Sequence, residues 1–363
     1  MSEKKKAVVG LSGGVDSSVC ALLLKEQGYD VYGVTLRLTR ESEEYIPERP
    51  KICCGKEAVR DAEAVAALLK IPFFEAGYEE LFSESVISRF ARDYLSGKTP
   101  NPCALCNPAV KWRALLEKAD ELKAEFVATG HYAGVRKLPN GRWSICRPRS
   151  EEKDQTYMLY ALTQEELSRT LFPLEGYEKE EIREIAEKAG LPVHQKPDSQ
   201  EICFVPDNDY AGFLERNYKD RLPQEGNFVT KDGRVVGKHA GIHHYTIGQR
   251  KGLGLSLGRP VFVSELRPET DEVVVGEEAE VFSRVVYAKE LCFMGRESLD
   301  GGTFLARVRY GHGLQKTHTE MVQEGFLKCT FEEPVRAAAP GQALVLYEGD
   351  LVAGGGTIVR PPA

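Results

Sequence analysis

Over roughly the first 130 residues, short apolar runs alternate with stretches in which apolar positions return every three or four residues. The strand-like runs are AVVGLS from residue 7, VYGVTLRL from 31, IPFFEAG from 71 and EFVATGHYA from 125. Between them lie the helix-like segments SSVCALLLKEQG from 17 and KEAVRDAEAVAALLK from 56, with others near 80–96 and 111–123. A period that switches between two and 3.6 predicts βαβ units, and so a parallel sheet with helices on its faces. After about residue 206 the texture changes to short alternating runs punctuated by Gly and Pro, as in PVFVSELRPETDEVVVGEE and FLARVRYG, which predicts antiparallel sheets or small barrels. The expected class is α/β: a Rossmann-like parallel-sheet domain over residues 1–205, a central β-rich domain over 206–280 and a small C-terminal β-barrel over 281–363. No internal repeat or low-complexity segment interrupts this order.

Composition narrows the function. With 363 residues and 42% apolar content, each domain has enough material for a core. The opening MSEKKK is basic, but the apolar run behind it is broken at once by SGG, so neither a secretory signal nor a membrane span is expected, and the expected location is cytoplasmic. Nine cysteines, an odd number scattered along the chain, do not read as a disulfide framework; a close pair then points to metal or redox chemistry. The net charge of −7 excludes a protein that coats nucleic acid unspecifically. It leaves room for segregated basic surface: Lys231, Arg234, Lys238, Arg250 and Lys251 face one acid, Asp232, and residues 301–319 carry Arg307, Arg309 and Lys316 without any acid.

The first chemical motif is GLSGGVDSS, residues 10–18, between the first strand and the first helix. Gly13 and Gly14 allow close backbone approach to a ligand, and the amides near Ser17 and Ser18 open a helix whose positive end favours phosphate. No Gly-Lys-Ser/Thr follows, so this is not a Walker A loop, and the glycine spacing is wrong for a dinucleotide fold. Asp16 at its centre reads as a partner for magnesium on the phosphates. An ordinary Gly-rich turn accounts for the glycines but not for Ser-Gly-Gly-x-Asp-Ser as a set. That set resembles the PP-loop of the ATP pyrophosphatase superfamily, which implies cleavage of ATP between its α and β phosphates and transfer of AMP to an oxygen. The nucleotide then lies at the C-terminal edge of the sheet, where Leu36 and Gly130 with His131 end other strands; a packing or capping role is the alternative for His131.

The second motif is TPNPCALCNP, whose prolines predict a stiff loop carrying Cys103 and Cys106; a third cysteine, Cys203, lies beside a proline in DSQEICFVP. A Cys-x-x-Cys pair favours a depressed thiol pKa and hence a thiolate. Oxygen activated by AMP can be displaced by a sulfur nucleophile, so the two motifs together suggest exchange of a carbonyl oxygen for sulfur. Cys20, Cys146, Cys292 and Cys329 read as packing residues, as do Cys53 and Cys54 by default.

GLSGGVDSS, TPNPCALCN, ATGHYA, KDQTYMLYALTQEEL, KPDSQEICFVP, YTIGQRKGLG and APGQALVLYEGDLVAGGG, in this order over nearly the whole chain, resemble the MnmA family of bacterial tRNA-specific 2-thiouridylases. The resemblance implies ATP-dependent adenylation of the 2-oxygen of the wobble uridine, followed by sulfur transfer from a cysteine persulfide. It implies Cys106 as nucleophile and Cys203 as persulfide carrier, the two closing into a disulfide when the sulfur leaves. ATP is expected on Gly10, Leu11, Ser12, Gly13, Gly14, Val15, Asp16 and Ser17, with Leu36 and Gly130. Asn101, Pro102 and Cys103 are expected at the target base. His131, Lys153, Asp154, Gln155, Arg309, Tyr310 and Gln342 are expected at the anticodon stem-loop of tRNA. Partners so implied are tRNA and a sulfur carrier or cysteine desulfurase-derived donor, with no membrane and a monomeric enzyme.

Many family members carry Asp where this chain has Cys103. Three thiols, Cys103, Cys106 and Cys203, then leave two routes open beside structural zinc: a persulfide relay, or a [4Fe-4S] cluster whose fourth iron site binds sulfide. Thiolation of another tRNA base by a related PP-loop enzyme is the nearest rival function. A small-molecule PP-loop ligase would leave the cysteines and the basic stretches unexplained, and a non-enzymatic sulfur-carrier or RNA-binding module would leave the nucleotide loop unexplained.

Overall fold

The apolar runs of the N-terminal half form β1 (Lys6–Gly10), β2 (Asp30–Arg37), β3 (Phe73–Gly77), β4 (Phe126–Ala128), a hairpin of β5 (Gly134–Lys137) and β6 (Trp143–Cys146), and β7 (Thr170–Leu171). This is a computed structural model, describing residues 4–39, 55–198, 202–205, 207–323 and 325–362. The chain divides into two compact units: Met1–Ile87, Cys103–Asn208 and Asp350–Val352 form the first, and Ser88–Pro102, Asp209–Gly349 and Ala353–Ala363 the second.

In the first unit a parallel sheet runs in the order β3-β2-β1-β4-β7, with Lys6 opposite Asp30 and Val8 opposite both Tyr32 and Val127. Ala7, Val8 and Val9 are fully buried, as expected of a central strand covered on both faces. Helix α1 (Val15–Glu26) buries Val19, Cys20, Leu23 and Leu24 in the same core, and α2 (Lys56–Leu69) adds Ala62, Val65, Ala66 and Leu69 at helical spacing. Each such fully buried Val or Leu contributes about 1.5–3 kcal/mol. The strand order reverses direction between β1 and β4, which opens a crevice beyond their C-terminal ends.

The proline-framed cysteine segment, expected as a stiff loop, is helical. Pro102 opens a turn through Cys106, a π-helical stretch follows over Asn107–Trp112, and an α-helix continues over Arg113–Glu121. Proline is favoured at the first position of a helix, where its missing N–H would have no partner, so Pro102 starts the helix. Pro108 falls inside the π stretch, and its lack of a donor suits the widened turn.

The second unit begins its β-rich part with a helix, Tyr210–Asn217, capped by Asp209, whose carboxylate accepts from the Gly212 amide at 2.8 Å. A four-stranded sheet follows, made of β8 (Gly226–Val229), β9 (Val235–His239), β10 (Phe262–Arg267) and β11 (Glu272–Gly276) in the order β10-β11-β8-β9. Phe228, Ile242, Val263, Val273 and Val275 form its core. The last six strands are β12 (Phe282–Phe293), β13 (Thr303–Arg307), β14 (Gln315–Gln323), β15 (Phe326–Arg336), β16 (Ala343–Glu348) and β17 (Leu351–Val359). They follow the order β12-β15-β14-β13-β16-β17, and pairing of β12 with β17 closes them into a barrel, which removes open edges. No helix among the described residues is long and apolar enough to cross a membrane.

Candidate active site

The loop between β1 and α1 is built for an anion. Gly14 caps α1 without any side-chain hydrogen bond to the first-turn amides, so no side chain competes for the helix's positive end. Gly13 has φ +68°, and a Cβ there would lie 2.3 Å from the Ala58 carbonyl oxygen, so only glycine fits. The loop is tied down from beneath. Thr35 Oγ1 donates to the Leu11 carbonyl at 2.7 Å, the Leu11 amide donates to Val34 at 2.8 Å, and Ser17 Oγ donates to the Gly14 carbonyl at 3.0 Å while pairing with Ser12 Oγ at 3.2 Å. Leu36 is half-buried near the end of β2. Beyond β4, Gly130 packs so tightly on the first turn of α1 that a Cβ would sit 2.6 Å from both the Asp16 carbonyl carbon and the Ser17 nitrogen. The reversal in strand order therefore brings the β1 loop and the β4 loop into contact.

Asp16 is not an open carboxylate. Its Oδ1 accepts from the Tyr132 hydroxyl at 2.9 Å, and Lys179 Nζ lies 2.7 and 2.8 Å from its two oxygens. Lys179, 6% exposed, also reaches Asp198 at 2.8 Å, and Asp198 takes further bonds from Lys153 at 3.2 Å and Arg183 at 3.0 Å. Burial alone would raise the Asp198 pKa, but the contacts from Lys179 and Lys153 outweigh it and hold the carboxyl below its usual range. A magnesium ion on Asp16 would have to displace Lys179, so the expected role of Asp16 as a direct magnesium ligand does not fit the donor set. Lys196 completes the cationic rim, donating to the Gly13 carbonyl at 2.9 Å and to Asp61 at 2.6 Å. Lys153, Lys179, Arg183 and Asp198 line an open polar cavity of about 270 Å³.

Cys103 and Cys106 share one helical turn, with Cys103 exposed and Cys106 only 6% exposed. The thiolate expected from the Cys-x-x-Cys spacing is not favoured here: burial pushes the Cys106 thiol up to about 11, against the opposing influence of Lys111. Asn107 Nδ2 donates to the Met158 carbonyl at 2.8 Å and Trp112 Nε1 to Thr170 Oγ1 at 2.7 Å, anchoring the segment that carries Cys106. Cys203 is half-buried in a turn, and none of the three sulfurs is joined in a disulfide. Among the described residues, the three sulfurs are not within 4.8 Å of one another. Tetrahedral zinc needs them about 3.8 Å apart, so the arrangement does not suit structural zinc. Cys53 and Cys54 lie outside the described residues.

This burial makes a testable pH signature. Below pH 11 the Cys106 thiolate fraction rises about tenfold per pH unit, so its alkylation rate in mass-spectrometric mapping should climb past pH 9, well beyond an ordinary thiol near 8.5. A plateau at pH 8.5 would contradict the burial argument.

His131 is held neutral. Burial, with Lys111 nearby, pushes its pKa down to about 3, and its Nδ1 pairs with Thr129 Oγ1 at 2.8 Å. Gln155 Oε1 accepts from the Tyr132 amide at 2.9 Å. Asp154, expected at tRNA, is 3% exposed and holds Arg147 at 3.0 Å and the Thr156 hydroxyl at 2.6 Å, so its carboxylate faces the protein. Lys153 instead pairs with Asp198.

In the second unit Gln342 is 7% exposed and donates to the Thr99 carbonyl at 2.9 Å. Tyr310 is exposed, and Arg309 is half-buried. The basic stretch at 301–319 is weaker than its composition suggested: Arg307 is buried over the Tyr347 ring and Lys316 pairs with Glu332 at 2.6 Å. Lys231, Arg234, Lys238, Arg250 and Lys251 are all exposed. Sequence reasoning missed Lys179 and Lys196; Lys196 stands in the KPDSQ motif, whereas nothing local marks Lys179.

Residues 5–207 match the family described as the tRNA methyl transferase HUP domain, 211–277 the tRNA methyl transferase PRC-barrel domain, and 283–358 the aminomethyltransferase beta-barrel domain. The chain is 50% identical to the tRNA-specific 2-thiouridylase MnmA of Lachnoclostridium phytofermentans, over 98% of this chain and 100% of that one. It is 48% identical to the protein of the same name from Clostridium perfringens, over 98% of each. Among solved structures, the U34-tRNA thiolase NcsA of Methanococcus maripaludis, described with its [4Fe-4S] cluster, is 19% identical with a TM-score of 0.34, covering 60% of this chain and 67% of that one.

Proposed function

The chain belongs to the tRNA-specific 2-thiouridylase (MnmA) family, and from that membership we propose how its own residues divide the work of ATP-dependent 2-thiolation of the wobble uridine. The enzyme is an ATP-dependent tRNA-uridine sulfurtransferase of PP-loop type. ATP binds with its phosphates at the uncapped N-terminus of α1, on residues 10–17, and magnesium enters as the counter-ion on those phosphates rather than through Asp16. The observation that carries this placement is the contact of Gly130 with the first turn of α1, which sets the β4 loop beside the phosphate site. Lys196 and Lys179 hold the loop and Asp16 in place, and their charge suits the pyrophosphate that leaves.

In the proposed sequence, the 2-oxygen of the uridine attacks the α-phosphate and pyrophosphate departs. The terminal sulfur of a persulfide on Cys203 then attacks C2, losing its proton, and AMP departs with the oxygen. Cys106, deprotonated, attacks the Cys203 sulfur. The sulfur–sulfur bond to the base breaks, its electron pair stays on the 2-thio group, and a Cys106–Cys203 disulfide remains for a thiol reductant to open. A sulfur carrier or cysteine desulfurase-derived donor reloads Cys203. Asn101, Pro102 and Cys103 receive the base, which must leave its stack to be reached. The chemistry is assigned to residues 1–205, tRNA contact to 206–280 together with Arg309 and Tyr310, and the barrel to 281–363.

The experiment is tRNA-dependent release of AMP and pyrophosphate by anaerobically purified protein containing no iron or acid-labile sulfide. Release without tRNA, dependent on a small amino acid instead, would move the chain to the ligase reading; a strict requirement for iron would replace the persulfide relay. The exposed basic stretch gives a second test. Arg250→Gln with Lys251→Gln should reduce the slope of log affinity for tRNA against log salt by roughly 2, leaving ATP affinity unchanged. An unchanged slope would remove this stretch from the interface.

A further inference from the structure

The second unit holds a cluster that the thiolation chemistry does not use. His243 and His244 lie on the short 3₁₀ turn Ile242–His244, and Glu215 projects from the helix Tyr210–Asn217. Glu215 Oε1 is 3.2 Å from His244 Nε2 and 3.9 Å from His243 Nε2. One donor atom from each of the three residues falls within 4.8 Å of the others, and no other set of three His, Cys, Asp or Glu donors does so among the described residues. A tetrahedral ion with bonds of about 2.0–2.2 Å separates its ligand atoms by about 3.3–3.6 Å, a range that the 3.2 and 3.9 Å found here bracket.

His243 supplies an independent indication. It is 2% exposed, and neither ring nitrogen has a hydrogen-bond partner. Buried polar groups are nearly always satisfied, so an imidazole with two idle nitrogens facing a carboxylate calls for a ligand. The ring is fixed in place: Gly241, with φ 142°, would bring a Cβ to 2.5 Å from His243 Cε1, so glycine there makes room for it. His239 accepts from the Gly241 amide at 3.1 Å and steadies the same turn. His244 and Glu215 are partly exposed, leaving an open side for a water ligand.

We propose that Glu215, His243 and His244 form a binding site for a single divalent transition-metal ion, of the zinc or cobalt type. Two imidazoles and one carboxylate match that class, whereas magnesium and calcium prefer oxygen donors throughout. The ion would clip the helix Tyr210–Asn217 to the turn that leads into Tyr245 and Thr246.

The test uses the full chain with its accessible thiols alkylated, titrated with zinc by calorimetry and with cobalt(II) by absorption. One equivalent should bind, and cobalt should show ligand-field bands without sulfur-to-metal charge transfer. Glu215→Gln, at a half-exposed position that leaves folding intact by circular dichroism, should weaken zinc roughly tenfold or more, and His244→Phe likewise. No binding by the thiol-blocked protein, or unaltered zinc affinity in folded Glu215→Gln, overturns the proposal.

Discussion

Cys106→Ser should abolish 2-thiouridine formation, by roughly 10³-fold or more, while tRNA-dependent release of pyrophosphate persists for at least one turnover. The reaction has two separable halves, adenylation and sulfur transfer. The phosphate-binding loop, Gly130 and the Lys179–Asp16 pair contain no sulfur, so adenylation needs none of the cysteines. Cys106 sits on the helical turn Pro102–Cys106, anchored through Asn107 and Trp112, and a serine is nearly isosteric there. The substitution therefore removes a nucleophile without removing packing. Rapid-quench assays of pyrophosphate, beside nucleoside analysis of the same tRNA, read both halves. Equal loss of both would mean that Cys106 supports the fold of the site rather than the sulfur step.

Gly130→Ala should be nearly as damaging, at the nucleotide end. The added methyl would lie 2.6 Å from two backbone atoms at the start of α1, and backbone cannot move aside as a flexible side chain can. Overpacking of this kind costs about 1–3 kcal/mol in stability. The larger effect is geometric, since displacing the first turn of α1 by about 1 Å misplaces the amides that hold the phosphates, worth about 10²-fold in rate. Gly176→Ala, with nothing within 4 Å of its new methyl, serves as the control. ATP affinity and tRNA-dependent AMP formation should fall in the first variant and stay unchanged in the second; equal behaviour of the two would contradict the close approach.

What could be read in advance follows the range of the interactions. The phosphate loop was legible because its chemistry is local: two glycines, a strand before and a helix after lie within a few residues. The parallel sheet and the closed barrel were legible from apolar periodicity. Lys179 and Lys196 were not, because they reach Asp16 and Gly13 from 163 and 183 positions away, and no periodicity encodes such a contact. The prolines around Cys103 and Cys106 suggested a loop because proline usually breaks a helix; Pro102 instead starts one and Pro108 lies in a π turn. The thiolate expected from Cys-x-x-Cys spacing gave way to desolvation, which depends on how deeply Cys106 is buried. Burial likewise turned Asp154, Arg307 and Gln342 toward protein partners, a property that residue type alone does not carry.

The central claim is that activated oxygen on a tRNA uridine is exchanged for cysteine-borne sulfur. Its most direct test is mass spectrometry of nucleosides and of anticodon-loop fragments from unmodified tRNA incubated with the purified protein, ATP and a persulfide-generating donor. The account predicts a gain of one sulfur for one oxygen at the wobble uridine, dependent on ATP and absent with Cys203→Ser; sulfur at a different base, or thiolation that proceeds without ATP, would contradict it.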